Sequence, residues 1–246
     1  MTPERFESIT GGNGDSLSAR INKLSERYLK RDVAHISPRY LINRLRVFLY
    51  QRGHPEAPWL TADAISILSG LLRSTDDGLE YGSGRSTLWF AQRTRSLVSV
   101  EDSPEWHARM GRLIQERRIK NVAYKFVQTA RDSASDPGRE AYVLADGAIA
   151  PASLDYVLVD GTYRDQCAMR AIEVLKPGGI LIIDNANWFI PHPTYSPTSA
   201  SAARGTWRQF ISCVEKWRMI WTSNGVYDTA IWFKPYEARQ EGGSAH

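Results

Sequence analysis

Apolar residues recur at helical spacing through the first seventy positions of the chain. Asp15 is placed to cap a helix whose apolar stripe is Leu17, Ile21, Leu24 and Tyr28. Ser37 is placed to cap a second helix, because Pro38 fits the first helical position without loss of a hydrogen bond. This second helix is expected to end at Gly53 and to bury Leu41, Leu45, Phe48 and Leu49. A third helix is expected from Thr61, so the pattern predicts a chain that begins with helices alone.

The pattern changes after residues 76–78, where strands begin to alternate with helices. Strands are expected at 78–81, 96–100, 122–127, 155–159 and 180–183, followed by a hairpin of 217–222 and 227–233. Alternation of this kind gives parallel strands joined by right-handed crossovers. The sequence therefore predicts an α/β fold with a doubly wound, mostly parallel sheet, to which the hairpin adds one antiparallel strand. Small molecules bind such sheets at the carboxyl ends of the strands, near the switch in strand order.

Composition excludes several classes of protein. The 246 residues are 42% hydrophobic and 24% charged, which is typical of a globular protein and unlike a disordered chain. No stretch approaches the roughly 18 apolar residues of a membrane span, and the first residues do not resemble a signal peptide. The two cysteines, Cys167 and Cys213, fit neither a metal site nor a disulfide framework and are interpreted as reduced core thiols. The sequence therefore predicts a cytoplasmic protein without a membrane partner.

The net charge of +4 is too small to indicate nucleic acid binding by itself. The basic residues are concentrated near the start of the chain, at Arg20, Lys23, Arg27, Lys30, Arg31, Arg39, Arg44, Arg46 and Arg52. Two interpretations stay open. These residues form the solvated faces of the predicted helices, or they form a basic rim that attracts an anionic substrate.

A glycine-rich turn, residues 79–87, lies between the first predicted strand and its helix. It is not a phosphate-binding P-loop, because no Lys-Ser/Thr pair follows it. Thr87 stands where a dinucleotide fingerprint has its third glycine, which disfavours NAD. Glu80, two residues before Gly82, would repel a pyrophosphate but suits a cationic ligand.

A second acidic residue, Glu101, follows the second predicted strand. It lies 19 positions (101 − 82) after Gly82, where a carboxylate can accept both hydroxyls of a ribose. The ligand is therefore interpreted as a nucleoside that carries a positive centre and no phosphate, and S-adenosyl-L-methionine fits that description. The candidate cofactor-binding residues are Glu80, Gly82, Ser83, Gly84, Ser86, Glu101 and Asp160. The alternative is that the two glutamates are merely exposed acids at strand ends.

Taken together, the motifs resemble those of the class I, Rossmann-like S-adenosylmethionine-dependent methyltransferases. The segments that carry the resemblance are 79–87, 98–102, 156–161, 175–180 and 184–185. The resemblance implies a seven-stranded sheet with an antiparallel last strand, and a substrate above the fourth and fifth strands. It implies a methyltransferase domain at 61–236. The polar, Gly-rich residues 237–246 are expected to form a flexible tail. Residues 1–60 would be a helical extension that serves as a lid or as the contact in a homodimer.

The family resemblance also raises the question of a bound metal ion. Asp160, Asp184 and Asn185 resemble the Mg²⁺ triad of catechol-type O-methyltransferases, where the metal lowers the pKa of a bound hydroxyl. The spacing of 24 (184 − 160) is slightly short for that family, and residues 161–164 depart from its pattern. Mg²⁺ is therefore considered but not favoured, and no metal ligand is assigned. Arg164 is interpreted as binding a substrate carboxylate or as pairing with Asp160 or Asp165.

Residues 186–205 form a loop after the strand end where the substrate is expected. Its length and its Ser/Ala content suggest a mobile lid that keeps water out of the reaction. His192 in this loop is the candidate general base, and Asp160 is the second candidate catalytic residue. A plain surface histidine is the alternative.

The favoured hypothesis is a methyltransferase that acts on a small molecule, at oxygen rather than nitrogen. The oxygen preference rests on His192, on the triad that resembles a metal site, and on the absence of an Asn/Asp-Pro-Pro-Tyr/Phe segment. One alternative is an RNA or protein methyltransferase that uses the basic helices as a landing surface. Another is a nucleoside-binding module without turnover. Nucleic acid is the less favoured partner, and an NAD-dependent dehydrogenase is the least favoured enzyme.

Overall fold

The structure is a computed structural model that describes residues 37–130, 136–145, 147 and 149–236. The helix expected from Asp15 and the tail at 237–246 lie outside the described residues. The chain divides into two compact units, one ending at Pro55 and the other starting at Glu56.

In the first unit the structure describes one helix, α1 (Pro38–Gly53). Ser37 caps it as predicted, since its Oγ accepts a hydrogen bond of 3.2 Å from the N–H of Tyr40. The prediction of its buried face is wrong. At least half of each side chain is exposed at Leu41, Leu45, Phe48 and Leu49. An apolar stripe identifies a face that favours cover, but it does not say what covers it.

The second unit contains the remaining elements. Its helices are α2 (Ala62–Leu71), α3 (Arg85–Ala91), α4 (Pro104–Glu116), α5 (Gly138–Val143), α6 (Arg164–Val174) and α7 (Thr206–Val214). Its strands are β1 (Asp77–Tyr81), β2 (Ser96–Glu101), β3 (Val122–Phe126), β4 (Leu154–Val159), β5 (Leu175–Asp184), β6 (Arg218–Ser223) and β7 (Asp228–Phe233). A short 3-10 helix, Ala186–Trp188, follows β5. Thr61 caps α2 as predicted, because its Oγ1 accepts from the N–H of Ala64.

The seven strands form one sheet in the order β3-β2-β1-β4-β5-β7-β6. The first five are parallel, and β7 runs antiparallel to both β5 and β6. This confirms the predicted doubly wound sheet with its antiparallel last strand. Residues 180–183 of β5 are buried on both faces, as their unbroken apolar run predicts.

The switch in strand order lies between β1 and β4. From β1 the chain builds outward through β2 and β3, and it then returns to place β4 on the other side of β1. The carboxyl ends of β1, β2, β4 and β5 therefore meet at one edge of the sheet, where the sequence places its acidic residues.

One detail differs from expectation. Cys167 is buried but Cys213 is exposed, so only one of the two is a core thiol. Within the described ranges, no helix is both long and apolar enough to pass through a bilayer.

Gly78 on β1 gives a test of this packing. A Cβ at Gly78 would lie 1.9 Å from the ring of Tyr156, which stacks on Phe90 at 4.8 Å and hydrogen-bonds Thr94. Because this ring cannot move away, Gly78→Ala should lower the free energy of unfolding by about 2–4 kcal/mol in urea titrations. Gly70→Ala in α2 is the control, since no atom lies within 4 Å of the added carbon and alanine favours the helix by up to about 1 kcal/mol. Equal effects of the two substitutions would contradict this packing.

Candidate active site at the carboxyl edge of the sheet

The turn after β1 is fixed by a close approach of two backbones. Gly82 has a φ of 87°, a value that residues with a side chain rarely adopt. Its N–H donates to the carbonyl of Val100. A Cβ at Gly82 would lie 2.7 Å from the Cα of Gly161, just beyond β4. The N–H of Asp160 donates to the carbonyl of Tyr81 and completes this junction. Gly82 therefore serves the contact between β1 and β4.

Gly84 has a different role. It precedes α3 in an extended conformation, and its N–H donates to Thr87 Oγ1 at 2.9 Å. Among the described residues, a Cβ at Gly84 would find one atom within 4 Å, Ser86 Oγ at 3.8 Å. The space beside Gly84 is therefore open. A ligand can approach the backbone of a turn only where such space exists.

Glu80 is completely buried near the end of β1. Its Oε2 accepts hydrogen bonds from Thr87 Oγ1 at 2.5 Å and from Ser99 Oγ at 2.7 Å. Its Oε1 has no hydrogen-bond partner among the residues that the structure describes, although the Ser86 hydroxyl lies close enough to help stabilise the charge. Burial raises the pKa of Glu80 to about 7, against the opposite effect of the three hydroxyls. This carboxyl is therefore poised between its neutral and its charged form at neutral pH.

Glu101 is also buried, but all of its acceptor directions are used. Oε1 accepts from the N–H groups of Asp102 and Ser103, and Oε2 accepts from the N–H and the hydroxyl of Ser83 at 3.0 and 2.8 Å. The Ser83 hydroxyl is the one donor of the four that can rotate. It also lies 2.8 Å from Tyr124 Oη, which can accept its hydrogen bond instead.

Several residues at this edge were not identified from the sequence. The Trp106 indole N–H donates to the carbonyl of Ser83 at 2.6 Å, and the hydroxyls of Thr129 and Thr162 donate to Asp102 Oδ2. Asp102 thus joins the ends of β2, β3 and β4. A buried polar residue inside an apolar strand, Ser99, was the signal available in the sequence for the partners of Glu80.

Asp160 lies at the end of β4 with about a third of its side chain exposed. It forms an ion pair of 2.7 Å with Arg164, one of the pairings expected for that arginine. The guanidinium also donates to the carbonyls of Asp160, Gly161 and Asp184 at 2.7–3.0 Å. Arg164 therefore ties the end of β4 to the end of β5.

The residues that resemble a metal triad do not fit Mg²⁺. Asn185 Oδ1 lies 3.4 Å from a guanidinium nitrogen of Arg164, and Asp184 contributes its carbonyl to the same group. The Asp184 carboxyl is buried and accepts from Thr229 Oγ1 at 2.9 Å instead. Burial and the charge of Asp160 raise the pKa of Asp184 well above its usual range. In the described part of the chain, no group of three His, Cys, Asp or Glu residues is arranged to hold a metal ion.

His192 is not brought together with Asp160. Its ring stacks on Trp221 with centroids 4.1 Å apart, and its Nδ1 lies 3.0 Å from the carbonyl of Pro193. Trp221 is paired through β7 and β5 to Val159, so it lies three strands, or about 14 Å, from the end of β4. This placement gives no support to the prediction that His192 is a general base.

The loop that carries His192 is anchored to the closing hairpin. Asp228 accepts from the Ser196 hydroxyl at 2.5 Å and donates its N–H to Asn187 Oδ1 at 3.1 Å. Ser196, Asn187 and Asp228 are all buried, and Ile190 packs into the core. These contacts hold residues 187, 190 and 196 of the loop against the rest of the domain.

The raised pKa of Glu80 makes stability depend on pH. The folded protein keeps a proton on Glu80 up to about pH 7 and the unfolded chain only up to about 4.5, so stability falls as the pH rises between these values. Glu80→Gln should abolish this loss and gain up to about 3 kcal/mol over the wild type above pH 7. Urea unfolding at pH 5 and pH 8 measures the difference, with Glu105→Gln at an exposed position of α4 as the control. A Glu80→Gln effect that is the same at both pH values would contradict the assignment.

Comparison with known proteins adds to this picture at the level of the fold. No protein-family model matches the chain, and neither does any curated protein. A proposed caffeoyl-CoA O-methyltransferase from Staphylococcus aureus is similar in structure, with a TM-score of 0.50 and 14% identity over 86% of this chain and 99% of that one. A proposed rRNA methylase from Clostridium thermocellum aligns with a TM-score of 0.49 and 13% identity, over 72% of this chain and 96% of that one. A methyltransferase-like protein from Silicibacter pomeroyi aligns with a TM-score of 0.48 and 19% identity, over 73% and 89%.

Because the sequence identity is only 14%, the similarity to the Staphylococcus aureus protein is evidence for the fold alone. It agrees with the strand order and with the antiparallel β7. The chain therefore has the fold of the class I, Rossmann-like S-adenosylmethionine-dependent methyltransferases, as its motifs predicted.

Proposed function

We propose that the protein transfers a methyl group from S-adenosylmethionine to a small-molecule acceptor. The observation that carries this proposal is Glu80, a buried carboxyl with an unpartnered Oε1 beside the glycine-rich turn. A positively charged ligand near this edge would favour the ionised form of Glu80, whereas a phosphate would oppose it. The site therefore suits a nucleoside with a cationic centre better than it suits NAD or a nucleotide.

The residues at this edge fit the rest of the cofactor. Glu101 would accept from a ribose hydroxyl at Oε2, once the Ser83 hydroxyl transfers its hydrogen bond to Tyr124. The open space beside Gly84 would admit the cofactor next to the backbone of the turn. The N–H groups of Asp102 and Ser103 would hold Glu101 in place throughout, because they bind its other oxygen.

When bound, S-adenosylmethionine supplies an electrophilic methyl group on a positively charged sulfur. The contribution of the chain would be orientation and the exclusion of water. Asp160 is the partly exposed acid of the edge, and Arg164 holds its carboxylate in one position. Asp160 would therefore act by orienting the reactants. Burial raises the pKa of its carboxyl above the usual value, against the opposite effect of Arg164.

Two of the three reasons for preferring oxygen over nitrogen lack structural support. His192 stacks on Trp221 of β6, away from β4, and the guanidinium of Arg164 lies among the oxygens that would otherwise bind a metal. The third ground, the absence of an Asn/Asp-Pro-Pro-Tyr/Phe segment, argues against the exocyclic amines of nucleic acid bases. We therefore propose a small-molecule acceptor. The panel of compounds assayed as acceptors contains both alcohols and amines.

Calorimetry with S-adenosylhomocysteine tests the cofactor assignment. We expect the wild type to bind it, and Glu101→Ala to bind it about ten- to a hundredfold more weakly, because a hydrogen bond to a charged group is lost. Asp155→Ala is the matched control, since it removes an acid from the opposite end of β4, where Asp155 pairs with Lys176.

Two results would overturn the assignment: no binding by the wild type, or equal binding by the wild type and Glu101→Ala. Displacement of S-adenosylhomocysteine by NAD would favour a dehydrogenase. Binding without turnover of any acceptor in the panel would favour the nucleoside-binding module over the enzyme.

The two glycines of the turn separate folding from binding. Gly82→Ala should destabilise the protein by more than about 2 kcal/mol, because the new Cβ meets backbone and the φ is positive. Gly84→Ala should leave the melting temperature nearly unchanged, since its surroundings are open. It should nevertheless weaken S-adenosylhomocysteine by about tenfold, because the methyl group enters the cofactor space. Unimpaired binding by a folded Gly84→Ala variant would place the cofactor elsewhere.

A further inference from the structure

The guanidinium of Arg164 is surrounded by oxygen atoms. Nε donates to the carbonyl of Gly161 at 3.0 Å, and one terminal nitrogen donates to the carbonyl and to Oδ1 of Asp160, each at 2.7 Å. The other terminal nitrogen donates to the carbonyl of Asp184 at 2.7 Å and lies 3.4 Å from Asn185 Oδ1. These five contacts use all five N–H groups of an arginine side chain.

The same oxygens are of the kind that a divalent cation prefers. A carboxylate, an amide oxygen and backbone carbonyls are ordinary ligands of Mg²⁺ and Mn²⁺. They come from the ends of β4 and β5, and three of the residues that supply them are the ones that resemble a metal triad, Asp160, Asp184 and Asn185. In this chain the positive charge among these oxygens is that of the Arg164 guanidinium.

The position of Arg164 is fixed by the fold. It is the first residue of α6, and its side chain reaches back across the strand ends with only 15% of its surface exposed. Phe189 lies over the guanidinium, with its ring centroid 5.8 Å away. Since every N–H group already has a partner, Arg164 is a positioning residue and not a ligand for a substrate.

We propose that Arg164 is a built-in cation that takes the place of a divalent metal, closes this site to Mg²⁺ and holds Asp160 and Asn185 in their positions. The native protein then binds no divalent metal at the strand ends. Removal of the guanidinium leaves an oxygen-lined space that accepts a small cation. This inference does not depend on the proposed methyl transfer.

Arg164→Ala tests the inference without any assay of activity. Its melting temperature should fall by more than about 5 °C, because a half-buried charge network loses its centre. Low millimolar guanidinium chloride should recover part of that loss, whereas potassium chloride at equal ionic strength should not. Mn²⁺ should bind the variant saturably, as followed by the loss of the free-ion signal in electron paramagnetic resonance, and should not bind the wild type.

Arg170→Ala is the matched control on the same helix. Arg170 is equally buried and pairs with Glu173 and with the carbonyl of Ile149, which are too few oxygens for a metal site. We expect no Mn²⁺ binding by this variant. Mn²⁺ binding that is equal in the Arg164 and Arg170 variants would overturn the proposal.

The wild type supplies a test that does not depend on the folding of a variant. Stoichiometric Mn²⁺ binding by the wild type that Mg²⁺ displaces would overturn the proposal. An Arg164→Ala variant that folds, loses no stability and gains no Mn²⁺ site would do the same. If Arg164→Ala does not fold, Arg164→Lys replaces it. That variant keeps the charge and should melt below the wild type while still binding no Mn²⁺, and saturable Mn²⁺ binding by it would contradict the proposal.

Discussion

The carboxyl of Glu80 sets the character of the whole edge of the sheet. It sits in the interior among β1, β2 and α3, where hydroxyls of Thr87 and Ser99 reach only one of its oxygens. A buried polar group that lacks a partner costs free energy, and here burial shifts the group toward its protonated form. Buried groups with a shifted pKa are frequent at functional sites, which is in accord with the cofactor site proposed above.

Three acids share this edge, and the fold treats each in a different way. Glu80 is buried with an incomplete set of partners, Glu101 is saturated by four donors, and Asp160 is neutralised by Arg164. Like charges brought this close would repel each other if all three were ionised and unpaired. Because each acid is stabilised in a different way, the three can lie together at the edge where the proposed cationic cofactor would bind.

The sequence could predict the parts of this arrangement that depend on local pattern. Ser37 and Thr61 cap their helices as expected, and the glycine-rich turn and the strand ends lie where the alternation of strands and helices predicts them. The spacing from Gly82 to Glu101 was informative because one crossover connection separates the ends of adjacent parallel strands.

Other parts depend on distances that no local pattern contains. The position of His192 follows from the insertion of β7 between β5 and β6, which moves its loop away from β4. The role of Arg164 follows from contacts with residues up to 21 positions away, so the same letters that resemble a metal triad serve another cation. The exposed stripe of α1 shows the same limit, because periodicity describes a helix and not its neighbours.

The close approach of Gly82 and Gly161 has a consequence for the order of assembly. The two residues are 79 positions apart (161 − 82), and a large part of the chain must be made before they can meet. During synthesis, the turn after β1 leaves the ribosome long before its supporting partner does. The turn cannot reach its final shape in that interval, since contacts of long sequence separation form only after the intervening chain has closed. A small ligand would therefore find its binding surface only in a nearly finished domain, and it would act as a late stabiliser and not as a template for folding.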